Sequence, residues 1–392
     1  MREGPHPLSV YLGLAAANAK GVQDFVMHGA AGYSQEQLAD MIRGIQRYQS
    51  FDHQQERLIT QQVWKDGTVK ILKPDEEKSV EAKPKSAPLL LIPSLINRAY
   101  IFDLAQDRSF LRWMSNKGIP TYLLDWGDLV AEREDNKALS IAQLLRQKMC
   151  KAIEVLSEQY GCPIDVLGYC MGGTLLAGGV HIVRKSVRKA VFLASPWDFY
   201  ADKVDDNASQ EVVTAPGGQQ GLAEMVRNWA PIVLPIIKSK GCLPKQNTQS
   251  LFAALGARSA VHKFINFVTM DNSAPGTKLF VSAEDWLNDG MDLPGRIACE
   301  CIQGWFLDNE PTEGLWYVDD HRVNPSSFDF PSLIIAARKD SLVPYLNARA
   351  LYEQIPDDFH HIIVPNVGHV GLIVGKNAIE EVWRPLYQWL CE

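Results

Sequence analysis

The six residues Gly168-Tyr169-Cys170-Met171-Gly172-Gly173 constrain this chain more than any other stretch. The apolar run Ile164-Asp165-Val166-Leu167 precedes them, and the helix-forming run Thr174-Leu175-Leu176-Ala177 follows. That order reads as strand, sharp turn, helix. Glycines on both sides let the backbone make a turn and a close approach that side chains would obstruct. Such a turn lifts residue 170 out above the end of a sheet. The helix that starts there points its free N–H groups and the positive end of its dipole at the same spot, which favours a thiolate at Cys170.

This is the setting of the nucleophile elbow of α/β-hydrolases, G-x-S-x-G, with cysteine in place of serine. Its two partners follow in the order that fold uses. Residues 331–337, Pro-Ser-Leu-Ile-Ile-Ala-Ala, read as a buried strand, and Arg338-Lys339-Asp340 leaves its carboxyl end, where open α/β sheets place their sites. Residues 361–365 read as the next strand, and the loop Asn366-Val367-Gly368-His369-Val370-Gly371 presents His369. A cysteine in an apolar sequence is commonly inert; the acid and the histidine, in order, are what single out Cys170. Asp340 also suits the N-cap of a following helix. Asp198, in Pro196-Trp197-Asp198-Phe199 after the strand 190–194, is a second candidate for the acid. The remaining histidines lack a comparable setting.

Continuous apolar strands at 88–93, 120–125 and 164–167, alternating with a helix around 141–159, predict a mostly parallel sheet covered by helices on both faces. Between residues 199 and 329 that rhythm stops. The expected architecture is therefore an α/β-hydrolase fold with an inserted cap or lid subdomain. Residues 1–85 are expected to be an N-terminal helical segment and linker. The catalytic core is expected over 86–199 and 326–392, and the insertion over 200–325. Helical spacing of Leu38, Met41, Ile42 and Ile45 supports a helix within residues 7–62, and the charged stretch 73–85 reads as a surface linker.

Composition narrows the function. A net charge of −7 over 392 residues makes nucleic acid an unexpected partner. Seven scattered cysteines form no disulfide framework and suit a reducing compartment. Cys299-Glu300-Cys301 has no second half of a zinc spacing and reads as helix or core. Neither a signal peptide nor a transmembrane segment is expected, since no apolar run approaches a membrane span. No metal, flavin or nucleotide cofactor is implied: there is no paired metal-ligand spacing and no glycine-rich phosphate loop. The expected location is the cytoplasm.

In the chemistry these residues allow, the Cys170 thiolate attacks a carbonyl or thioester, His369 moves the proton, and Asp340 orients the imidazole. An oxyanion would be held by the backbone N–H of Met171, just after the nucleophile, and by that of Leu95 in the loop after the first apolar strand. A thiolate exchanges acyl groups with a thioester at little thermodynamic cost, which points to acyl transfer over plain ester hydrolysis.

The chain resembles the polyhydroxyalkanoate synthases, the PhaC family, in the form without a long N-terminal extension. The resemblance rests on Leu91-Ile92-Pro93-Ser94-Leu95-Ile96-Asn97-Arg98, Leu124-Asp125-Trp126-Gly127 and the Cys170 elbow. It continues in Pro196-Trp197-Asp198-Phe199, Asp340-Ser341-Leu342-Val343-Pro344 and Gly368-His369-Val370-Gly371. It implies an acyltransferase that polymerises (R)-3-hydroxyacyl-CoA into polyester and releases CoA, with the chain carried on Cys170 and His369 activating it. It implies that Asp340 assists activation of the substrate's 3-hydroxyl. It also implies a homodimer, room for a second synthase subunit, and work at the surface of polyester granules. CoA would enter as part of the substrate, with Arg98 a candidate contact. Two other readings use the same residues: an intracellular polyester depolymerase or acyl-CoA thioesterase, and a non-catalytic granule-associated protein.

Overall fold

The computed structural model describes Arg2 and residues 33–54, 60–75, 86–131, 139–201, 222–255 and 257–392. Eight strands make one sheet: β1 (Thr60–Asp66), β2 (Val69–Pro74), β3 (Leu89–Ile92), β4 (Thr121–Asp125), β5 (Ile164–Tyr169), β6 (Val187–Leu193), β7 (Ser332–Ile335) and β8 (His360–Ile363). Their order across the sheet is β1-β2-β4-β3-β5-β6-β7-β8. β2 runs antiparallel to both neighbours, and every pairing from β4 to β8 is parallel. This is the α/β-hydrolase arrangement. β3, β5 and β7 are buried along their whole length, as strands covered on both faces must be.

Two cores lie on the two faces. One joins the sheet to the helical run of residues 141–160, to the elbow helix and to helices of the insertion; the other joins it to Phe110, Trp383, Leu386 and their neighbours. The apolar period that predicts a helix over 141–159 is present as Ile141–Leu144 and Lys151–Tyr160, joined through the π-helical turn Leu145–Cys150. Ser140 starts it with a capping box, its hydroxyl accepting the Gln143 N–H while the Gln143 side chain accepts the Ser140 N–H.

Further helices are inserted between β6 and β7, in chain order Leu222–Lys240, Lys245–Leu255, Ala257–Val268 and Pro275–Asn288. α1 (Gln35–Ser50), which starts on the capping box of Ser34, packs against the third of these. Met41, Ile45 and Tyr48 of α1 join Val261, Phe264, Phe267 and Val281 in a small third core. The Arg47 guanidinium lies 4.6 Å from the Phe267 ring centroid, and Tyr48 donates to Asp285 Oδ1 at 2.8 Å.

The sheet corrects one expectation. Residues 60–74, expected within the N-terminal helical segment and linker, form β1 and β2. β1 sits at the sheet edge, where Gln61, Gln62 and Lys65 face water, so Thr-Gln-Gln-Val-Trp-Lys-Asp shows no apolar run. Lys73 and Pro74 close β2 beside the charged stretch, which hides the strand end. The part of the expected helix at residues 7–32 and the linker at 76–85 lie outside the described residues.

Candidate active site

β5 ends at Tyr169, and the elbow helix, α2 (Met171–Gly179), starts two residues later. Cys170 between them has φ 54° and ψ −128°. A non-glycine residue held there costs roughly 1–3 kcal/mol and persists only where its surroundings enforce it. Here the Cys170 N–H donates to the Leu193 carbonyl at 2.8 Å, and the glycines remove obstruction. A Cβ on Gly168 would lie 2.4 Å from Gly173 Cα, and one on Gly172 would lie 2.4 Å from the Ile92 carbonyl oxygen. The glycines thus let the start of α2 press against the end of β3, where the loop carrying Leu95 begins.

The structure brings His369 and Asp340 to this turn. Nδ1 of His369 is 2.6 Å from Asp340 Oδ2, and the two side chains are 9% and 0% exposed. The other carboxylate oxygen, Oδ1, accepts the backbone N–H groups of Leu342 at 2.9 Å and Val343 at 2.8 Å. Asp340 therefore serves both as a turn cap and as the partner of His369. The acid and histidine loops are also tied to each other, with the Arg338 N–H donating to Pro365 O at 2.9 Å and the Lys339 N–H to Val367 O at 3.1 Å.

Burial pulls the His369 imidazole towards its neutral form. The Asp340 carboxylate, the Cys170 sulfur and hydrogen bonds to both outweigh it, and its pKa is pushed up to about 10. Asp198, the second candidate for the acid, is engaged elsewhere: its Oδ1 accepts from Tyr200 N and from Asn309 Nδ2, at 2.8 and 2.9 Å.

Neither the N–H of Met171 nor that of Leu95 donates to a protein acceptor among the described residues. The loop around Leu95 is clamped from two sides. Trp126 Nε1 donates to Pro93 O at 3.0 Å. On the insertion side, Asn97 Nδ2 donates to Trp286 O at 3.0 Å and Trp286 Nε1 to Arg98 O at 2.7 Å. Arg98 itself donates to Gly127 O at 3.0 Å and faces Asp289 at 3.7 Å.

A cavity opens beside Cys170, walled by Trp229, Leu251, Ile302, Trp305 and Phe306 among others. Most of that wall comes from the insertion. Two further residues of the site carried no usable signal in the sequence. Tyr169, inside the elbow motif, stacks its ring on His369 at 5.0 Å and donates its hydroxyl to the His369 carbonyl at 3.3 Å; burial pushes its phenol pKa well up, so it stays neutral. Asn347 lines the cavity from the helix that follows Asp340. Cys299 and Cys301 lie in helix, as expected, and among the described residues no group of three or more His, Cys, Asp or Glu could hold a metal ion. No helix of the described residues is long and apolar enough to cross a membrane.

Sheet order, elbow and insertion together define a protein of the α/β-hydrolase class. Solved structures resemble it at low identity, among them an esterase from Exiguobacterium antarcticum (13% identity, TM-score 0.44, 83% of this chain and 96% of that one). Within the class, the chain is homologous to the PhaC family. Residues 35–114 match the family model for the N-terminus of poly-beta-hydroxybutyrate polymerase (PhaC). The poly(3-hydroxyalkanoate) polymerase subunit PhaC of Haloarcula marismortui is 25% identical over 81% of this chain and 62% of its own length. That of Haloferax mediterranei is 24% identical over 78% and 58%, and that of Allochromatium vinosum 28% identical over 81% and 83%. The chain thus spans about three fifths of the length of the first two.

Proposed function

We propose that this chain is an acyltransferase that polymerises (R)-3-hydroxyacyl-CoA into polyester through an acyl-Cys170 intermediate. One observation carries the reading. Cys170 stands at a strained elbow beside His369, whose Nδ1 meets Asp340 Oδ2 at 2.6 Å, and it opens into an apolar cavity. The names of the relatives supply the substrate class.

In this reading the Cys170 thiolate attacks the thioester carbonyl. The oxyanion forms against the N–H groups of Met171 and Leu95. The CoA sulfur leaves and takes the proton of the His369 imidazolium, which gives acyl-Cys170 and CoA thiol. The chain then grows when a 3-hydroxyl oxygen attacks the acyl-Cys170 carbonyl. Its proton passes to His369, Cys170 leaves as thiolate, and an ester bond has replaced the thioester. Asp340 assists through His369, since Oδ2 is bonded to Nδ1 and Oδ1 to two backbone N–H groups. A cysteine thioester suits this sequence because it keeps the acyl group activated for an alcohol.

The test is incubation with (R)-3-hydroxybutyryl-CoA and (R)-3-hydroxyoctanoyl-CoA, following CoA release and product size together, beside Cys170→Ala. High-mass polyester that disappears in the variant is the expected result. Free hydroxy acid without polymer would make the protein a thioesterase.

A further inference from the structure

Among the described residues, the cavity beside Cys170 holds two polar side chains besides its thiols and indoles, Thr248 and Asn347. The Thr248 hydroxyl is spent on the Lys245 carbonyl at 2.9 Å, one turn back in its own helix. Asn347 differs. It is only 5% exposed, and its Oδ1 accepts the backbone N–H of Trp197 at 3.0 Å. A backbone N–H can only donate, so the atom facing it is the amide oxygen and the amide cannot be turned round. That leaves the Nδ2 group, with two N–H donors, without an acceptor among the described residues. It is not one of the fully enclosed unpartnered atoms, which among the described residues are Arg108 Nε and Trp383 Nε1. Asn347 is among the residues that line the cavity.

A donor held in an apolar cavity is costly unless a bound molecule completes it. Leu342, Val343 and Pro344, between Asp340 and the helix carrying Asn347, line the same cavity, so Asn347 belongs to the segment that holds the acid. The occupant that fits is apolar along its length and offers an oxygen acceptor near its reactive end. We infer that Asn347 is a specificity residue whose Nδ2 donates to the 3-oxygen of the bound acyl chain, so that the site takes 3-oxygenated acyl chains over unsubstituted ones. This rests on the acyl-transfer reading of Cys170. A chain without that oxygen leaves the amide unpaired in a largely apolar cavity, and sites built around a substrate hydroxyl reject such analogues.

The experiment is single-turnover acylation of Cys170, read as CoA release, with (R)-3-hydroxyoctanoyl-CoA and with octanoyl-CoA. Wild type is compared with Asn347→Asp, which keeps an oxygen for the Trp197 N–H but replaces the donor, and with Asn347→Leu, which keeps the volume and removes both. Wild type should favour the hydroxyacyl thioester by about tenfold or more. Both variants should bring the ratio near one, chiefly by slowing the hydroxyacyl reaction. A purely structural role would slow both thioesters alike and leave the ratio unchanged, which would overturn the inference. A wild-type ratio near one would overturn it whether or not the variants fold. No acylation by either thioester is a different result, and it overturns the acyl-transfer reading itself.

Discussion

Asp340→Asn isolates the part of the site that sets the charge on His369. Oδ1 of Asp340 is held by the N–H groups of Leu342 and Val343 at 2.9 and 2.8 Å. Both are donors, so in the variant the amide oxygen must stay there and the NH2 must point at His369. Nδ1 of His369 then becomes an acceptor, and its proton moves to Nε2, the nitrogen left for Cys170. The imidazole can no longer take the thiol proton. Fixing the wrong tautomer at a triad histidine while the geometry stays intact lowers the rate by roughly four orders of magnitude, about 5 kcal/mol of barrier at about 1.4 kcal/mol per tenfold, and the two side chains, 0% and 9% exposed, keep their places. The assay is the rate of Cys170 alkylation by iodoacetamide at pH 7, with CoA release from a 3-hydroxyacyl-CoA as the second readout. Both should fall together while the melting temperature changes little. An alkylation rate within threefold of wild type would refute the argument that Asp340 sets the tautomer and charge of His369.

Three further outcomes follow from the same geometry. The His369 imidazole titrates at about 10 in the folded chain, above its ordinary value of about 6.5. A raised pKa contributes stability that is fully present below about pH 6.5 and is lost as pH rises through about 10. The denaturant midpoint of wild type should therefore fall relative to His369→Gln across that window; a gap that widened with pH would sink the assignment. Gly172→Ala places a Cβ 2.4 and 2.5 Å from the carbonyl oxygens of Ile92 and Pro93. Backbone cannot swing aside, so the variant should lose about 2 kcal/mol in urea melts, despite the gain of about 1 kcal/mol alanine brings to a helix. Ile45→Ala empties a fully buried position in the small core shared by α1 and the insertion and should cost about 2–5 kcal/mol. Amide exchange should then quicken in α1 and in Ala257–Val268 while β5 is unchanged; a uniform change would refute a separate third core.

The elements that sequence makes legible are those whose signal is local. Cys170 and Asp340 follow the carboxyl ends of buried apolar strands and His369 follows the half-buried β8, and strand, turn and residue are neighbours in the chain. β1 and β2 escape notice because an edge hairpin buries little and its polar residues resemble those of a linker. The capping boxes at Ser34 and Ser140 are visible as S-x-x-Q, yet nothing in α1 says that its apolar stripe packs on residues more than 200 positions away. Asn347 is harder still. Its free donor exists only because Trp197, 150 residues earlier, claims the amide oxygen, and because the insertion closes a cavity over the other side. Tyr169 lay inside the elbow motif, but its stacking on His369 depends on where the loop after β8 falls.

The central claim is that Cys170 carries the acyl group. The most direct measurement is intact-protein and peptide mass spectrometry after rapid mixing with (R)-3-hydroxyoctanoyl-CoA and acid quench. The account predicts one hydroxyacyl adduct on the peptide containing Cys170, formed as CoA is released and absent from Cys170→Ala. CoA release with Cys170 unmodified, or the same adduct on another residue, would contradict it.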